Sequence, residues 1–255
     1  MRGRGLIGVV LLVALAGCAT DDAPQPSASP TAAPTAVPTA VPTAVRVTAP
    51  AELAPEPPDP AVEADAPTFT SDITEITPEL AVRMEPSWRP GCPVPLEDLR
   101  YVSVTHRGFD GVDRQGELVV HADAAQDMVT VFRALFEAGY PVRSMRLVDD
   151  FDASDDDSMA ADNTSAFNCR AITGGSGWSE HAYGRAIDLN PVENPYVRGS
   201  SVAPSEGRRY ADRPDAPGVI HDGDEVVRAF AAVGWLWGGD WESPIDYQHF
   251  SPSGR

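Results

Sequence analysis

The sequence predicts an α+β domain, a small antiparallel sheet with helices packed on one side, and three observations carry that expectation. Residues 99–105 alternate apolar and polar at the period of a half-buried strand, and residues 116–121 read as a second strand after the glycine-bearing turn at 108–111, which makes a hairpin. Met128, Val129, Phe132, Leu135 and Phe136 recur at helical spacing. The closing segment GWLWGGDWESPIDYQHF sets three tryptophans among glycines and ends in an apolar-polar strand pattern.

Before this domain the chain has two other parts. Residues 1–18, MRGRGLIGVVLLVALAGC, place Arg2 and Arg4 ahead of an apolar run too short to span a bilayer, which reads as a secretion signal. Its end, Leu15-Ala16-Gly17-Cys18, resembles the lipobox of bacterial lipoproteins, in which the cysteine carries lipid. An ordinary signal peptide with a chance cysteine is the alternative, and either reading puts the protein outside the cytoplasm. Residues 19–68 are rich in Pro, Ala and Thr and include PTAAPTAVPTAVPTAV. Frequent proline favours an extended chain, so such a tether could reach on the order of 150 Å at about 3.1 Å per residue. Residues 69–255 are left for one globular domain.

Within that domain Asp123 is expected to cap the Met128-bearing helix and Gly139 to end it. Residues 141–148 return as a strand. FDASDDDSMAADN then reads as a solvated loop or the rim of a site, since the ordered spacing and distal Glu of an EF-hand calcium loop are missing. Asp222 and Glu225 stand three apart as a capping box for a helix showing Val226, Val227, Phe230 and Val233, with Gly234 as its stop.

Charge and cysteine usage exclude several functions. All 19 basic residues are Arg and the net charge is −19, or −21 once Arg2 and Arg4 leave with the signal (−19 − 2), so nucleic acid is not an expected partner. Attachment to a membrane would have to come from lipid on Cys18 and not from a basic patch. With Cys18 so used, Cys92 and Cys169 remain as a pair where disulfides persist, and a bond between them is expected.

The chemistry-bearing segment is SEHAYGRAIDLNP, residues 179–191. His181 lies on a small, turn-permitting stretch, and Asp188 lies between Ile187 and Leu189 in a strand pattern, where a carboxylate facing the interior is costly unless paired or bound to a cation. A metal site and an ordinary loop entering a buried strand are both compatible with this segment alone.

Together with the closing DYQHF, it resembles the two signature segments of the zinc peptidase family that contains D-alanyl-D-alanine carboxypeptidases, D-alanyl-D-alanine dipeptidases and L-alanyl-D-glutamate endopeptidases. The family pattern is met at Ser179, His181, Gly184, Ala186 and Asp188. The resemblance implies zinc held at the sheet surface by His181, Asp188 and His249, with Asp246 as general base. An offset of three puts Asp246 and His249 on opposite faces of a flat strand, so a bend between them is required. Members of the family commonly place an oxyanion-stabilising Arg after the strand that precedes the motif. This chain has Asp149-Asp150-Phe151 there, and Arg170, in DNTSAFNCR, is the candidate instead, with a salt bridge to the acidic segment as its competing role. Ser179, Ser165 and Asn163 are candidates for holding a substrate carboxylate or orienting ligands. The implied function is trimming or cleavage of peptidoglycan stem peptides by a membrane-tethered monomer, as a D-alanyl-D-alanine carboxypeptidase, an endopeptidase, or a metal-containing binding module without hydrolysis.

Overall fold

A computed structural model describes residues 68–172 and 175–254. The signal, Cys18 and the Pro-rich stretch lie outside the described residues.

The hairpin is the frame. β1 (Ser71–Glu75) pairs antiparallel with β2 (Leu99–Arg107), and β2 pairs with β3 (Asp113–His121) in the register Val102↔Leu118 and Val104↔Gly116. Strand alternation splits its apolar residues between two cores. Val102, Val104, Leu118 and Val120 face α2 (Ala125–Ala138), whose Met128, Phe132 and Leu135 are buried against them. Leu99 and Val119 face the other way, into a smaller cluster with Met84, Leu147 and Phe167 under α1 (Pro78–Arg83). That second cluster is closed by the Cys92–Cys169 disulfide, with Cα atoms 5.8 Å apart, as the cysteine count implied.

The expected α+β architecture is present, distributed over several small sheets and not one. Beside the hairpin sheet, β6 (Ile187–Asp188), β11 (His249–Ser251) and β9 (Leu236–Trp237) form an antiparallel sheet in the order β6-β11-β9. A third antiparallel sheet runs β10-β7-β8, from β7 (Tyr196–Arg198), β8 (Ser201–Ala203) and β10 (Ile245–Asp246). One pair is parallel, β4 (Ser144–Met145) with β5 (Asn163–Thr164).

Four local expectations are corrected. The strand over 141–148 is reduced to β4, because the Asn163 side chain takes over the ladder: its Oδ1 accepts from Arg146 N at 2.9 Å and its Nδ2 donates to Arg146 O at 2.9 Å. The acidic loop contains α3 (Asp155–Ala160), made helical by Ser154, whose Oγ accepts from Asp157 N at 3.2 Å, and by three acids in the first turn that suit the helix dipole. Asp123 does not cap α2; Ala124 holds that position, and the Asp123 carboxylate pairs with His121 at 2.7 Å and with Arg185. The cap of α4 (Glu225–Ala232) is Asp224, not Asp222, with Oδ1 accepting from Val226 N at 2.9 Å and Val227 N at 3.0 Å.

α4 packs against α2 and β9, with Val226 and Phe230 in the main core. Its Phe230 stacks on Phe250 at 3.9 Å between ring centroids, and Trp237 flanks Phe250 at 6.4 Å.

Candidate metal and catalytic site

The site is built by three short segments, each fixed by a local feature of sequence. His181 sits in a 3₁₀ turn (Glu180–Tyr183) capped by Ser179, whose Oγ accepts from His181 N at 3.4 Å. Gly184 closes that turn at φ +64°, and a Cβ there would meet His121 N at 2.6 Å, so both the conformation and the space demand glycine. β6 then brings Ile187 into the core and turns Asp188, also buried, to its opposite face. β11 lies antiparallel to it with Phe250↔Ile187 and His249↔Asp188, so the period of two that buries the first pair puts the second pair together on the opposite face.

The outcome is a compact cluster. His181 Nε2 is 3.2 Å from Asp188 Oδ2, and His249 Nδ1 is 3.1 Å from Asp188 Oδ1. His181, Asp188 and His249 each offer a ligand atom, all within 4.8 Å of one another. The His181 Nδ1 meets Ala166 O at 2.6 Å. A carbonyl only accepts, so Nδ1 carries the hydrogen, and in the neutral ring Nε2 presents a lone pair to a carboxylate. That arrangement is repulsive unless a cation or a proton lies between. Metal–ligand lengths of about 2.0–2.1 Å at tetrahedral angles imply ligands about 3.3 Å apart, close to the separations on either side of Asp188, so these residues could hold a metal ion.

Burial alone would raise the Asp188 carboxyl; His181 and then His249 beside it reverse that and hold it well below the usual range. Asp246 behaves oppositely. It is pushed up to about 7, first by burial and then by the Asp188 carboxylate, against smaller opposing effects of His249 and Gln248. It ends β10, which pairs with β7 as Asp246↔Tyr196, while His249 opens β11 in a different sheet. The break at Tyr247 and Gln248 supplies the bend that the spacing of three required.

A cleft of about 900 Å³ opens over the cluster, lined also by Ser179, Asp246 and Arg170. Arg170 thus lines the cleft, and its Nη2 is ion-paired to Asp155 Oδ2 at 2.8 Å, the competing role named for it. Its backbone follows Cys169 directly, which ties it to the disulfide. Asn163 is corrected: it is fully buried and its amide is consumed by Arg146, Ser144 and Ser158, away from the cleft. Ser165 is likewise buried outside the cleft lining, and its backbone bridges Asp188, with Ser165 N donating to Asp188 O at 3.0 Å.

Several site residues were missed from sequence. Gly238 lies so close that a Cβ would meet Asp246 O at 2.6 Å and His249 Cβ at 3.3 Å, which the glycine pair between tryptophans could have signalled. Trp241 packs 5.5 Å from the His249 ring. Of the eight buried side-chain polar atoms without a hydrogen-bond partner among the described residues, five surround this cleft: Arg170 Nε, His181 Nε2, Trp241 Nε1, Asp246 Oδ1 and Gln248 Oε1. Such atoms cost stability in an isolated fold, and their concentration here marks a surface that awaits partners.

No curated protein and no solved structure matches the chain. Residues 173–252 match the family described as D-alanyl-D-alanine carboxypeptidase, a span that runs from the loop before His181 through the strand of His249. The segment that builds the cluster is the segment that matches.

Proposed function

We propose that the protein is a zinc-dependent peptidase of peptidoglycan stem peptides, acting as a D-alanyl-D-alanine carboxypeptidase. The observation that carries this reading is the buried His181, Asp188 and His249 cluster with Asp246 beside it on one cleft. Two imidazoles and one carboxylate are a donor set suited to catalytic zinc, with a fourth position left to water or substrate. When bound, zinc supplies a Lewis acid that polarises the scissile carbonyl and acidifies water.

The protein's own groups would do the rest. Asp246, with its carboxyl near neutrality, would take a proton from the attacking water and return it to the leaving amine. The Ala166 carbonyl fixes the ring of His181, and Trp241 shields one side of His249. Arg170 would stabilise the oxyanion, with its Asp155 pair setting the direction of the guanidinium.

The same reading extends to location. Lipid on Cys18 and a Pro-rich tether would hold a monomeric domain outside the cytoplasm, free to sweep a polymeric wall at raised effective concentration.

Mass spectrometry of muropeptides incubated with the metal-loaded protein tests the reaction. Release of free D-alanine supports the carboxypeptidase. Split stem peptides without free D-alanine would make it an endopeptidase, and no product at all would leave a binding module.

A further inference from the structure

The cleft is poor in free positive charge. Asp155, Asp156, Glu180, Asp240 and Glu242 line it in addition to the acids of the site, against two guanidinium groups, those of Arg170 and Arg198. Arg170 is ion-paired through Nη2 to Asp155 at 2.8 Å. Arg198 ends β7, is exposed, and has no ion-pair partner among the described residues.

Its position follows from strand register. β7 and β10 pair as Asp246↔Tyr196 and Ile245↔Val197, so Arg198 is two residues beyond the partner of Asp246. Tyr196 and Arg198 share one face of the strand by its period of two, and both line the cleft. With strands about 4.8 Å apart and a rise of about 3.3 Å per residue, the Arg198 backbone lies roughly 8 Å from that of Asp246. An extended peptide advances about 3.3–3.6 Å per residue. A carboxylate one residue past a carbonyl held at the cluster therefore falls within the span of the Arg198 side chain.

We propose that Arg198 is the specificity residue that receives the C-terminal carboxylate of the peptide being cut, and so makes the cleft prefer a free acid one residue beyond the scissile bond. This rests on the peptidase reading above and names the feature of substrate that it recognises. The planar guanidinium fork matches a carboxylate with two parallel hydrogen bonds. The surrounding acids sharpen the choice, because they repel a carboxylate everywhere in the cleft except beside an unpaired cation. Asn163 and Ser165 cannot share this task from their buried positions outside the cleft.

The test compares one peptide ending in D-alanyl-D-alanine as the free acid and as the C-terminal amide, using the full chain with its metal. Wild type is expected to favour the acid in kcat/KM. In Arg198→Gln the acid-to-amide ratio should fall about ten- to hundredfold, the range given by charge-assisted hydrogen bonds, chiefly through KM, and Arg198→Lys should recover part of it. An unchanged ratio in Arg198→Gln overturns the proposal, as does collapse of the ratio in Arg170→Gln instead. Calorimetric titration with the acid peptide separates this from the reaction itself. If the peptide binds but is not cut, the peptidase reading falls, while a Kd unchanged by Arg198→Gln sinks the role of Arg198 whether or not turnover occurs.

Discussion

His249 stands directly across from Asp188 in the antiparallel pair of β11 and β6, and their side chains meet at 3.1 Å. One residue along each strand, Phe250 and Ile187 are fully buried in the main core. The packing of Phe250 on Phe230 therefore fixes the strand that presents His249. Site geometry and core packing are separated by a single step of strand alternation.

Gly184→Ala should uncouple His181 from that frame. The left-handed conformation alone costs about 1–2 kcal/mol for a residue with a Cβ, and the added atom would strike the His121 backbone at 2.6 Å. Denaturant unfolding should show at least that loss, and metal affinity should fall with it. A midpoint equal to wild type would mean that the turn tolerates a side chain.

Asp246→Asn should keep the metal and lose turnover, because the amide retains shape but cannot accept the proton. General-base catalysis is worth about 10²–10⁴-fold, so kcat should fall within that range at unchanged zinc content. Persistence of activity would remove Asp246 from its role.

Glu193 gives a pH dependence remote from the cluster. Its carboxyl is 1 % exposed, with Oε2 unpartnered, and burial followed by the neighbouring Asp162 pushes it up to about 8. A group raised in the folded state favours folding most below its unfolded value of 4.5, and that contribution is lost as pH rises through about 8. At about 1.4 kcal/mol per unit, the loss by pH 9 is a few kcal/mol. Glu193→Gln should flatten the decline of Tm between pH 5 and pH 9 relative to wild type. Parallel curves would contradict the assignment.

The Cys92–Cys169 bond closes a loop with a sequence separation of 77. Loop-closure entropy for that length predicts a stabilisation of about 4 kcal/mol. Unfolding with and without reductant, checked with Cys92→Ala/Cys169→Ala, should show a loss of that order. Because Arg170 follows Cys169, activity should drop in the folded, reduced protein as well.

The site was more legible in the sequence than the elements around it. His181, Gly184 and Asp188 are local to one segment, and a strand-borne carboxylate between Ile187 and Leu189 asks for a partner, but that segment alone leaves a metal site and an ordinary buried strand both open. His249 enters as the third ligand through the resemblance of the closing DYQHF to the zinc peptidase family. The hairpin and α2 were legible because their periodicities run over many residues. Local competition hid the rest: Asn163 imitates a strand neighbour for Arg146, and Ser154 with three acids turns an apparent loop into α3. Arg198 carries no local pattern, and the glycine pair between tryptophans that includes Gly238 does not say what its backbone approaches. Their relevance arises from the register of β7 on β10 and from a backbone approach to Asp246, relationships that only the folded chain creates.

The most direct measurement is the metal content of the purified full chain and of its His181→Ala and His249→Ala variants, by elemental analysis after dialysis. About one zinc per wild-type chain is expected, as for a mononuclear site, with loss of it in each variant that remains folded. A wild-type protein that retains no metal, or variants that retain as much as wild type, would contradict the account.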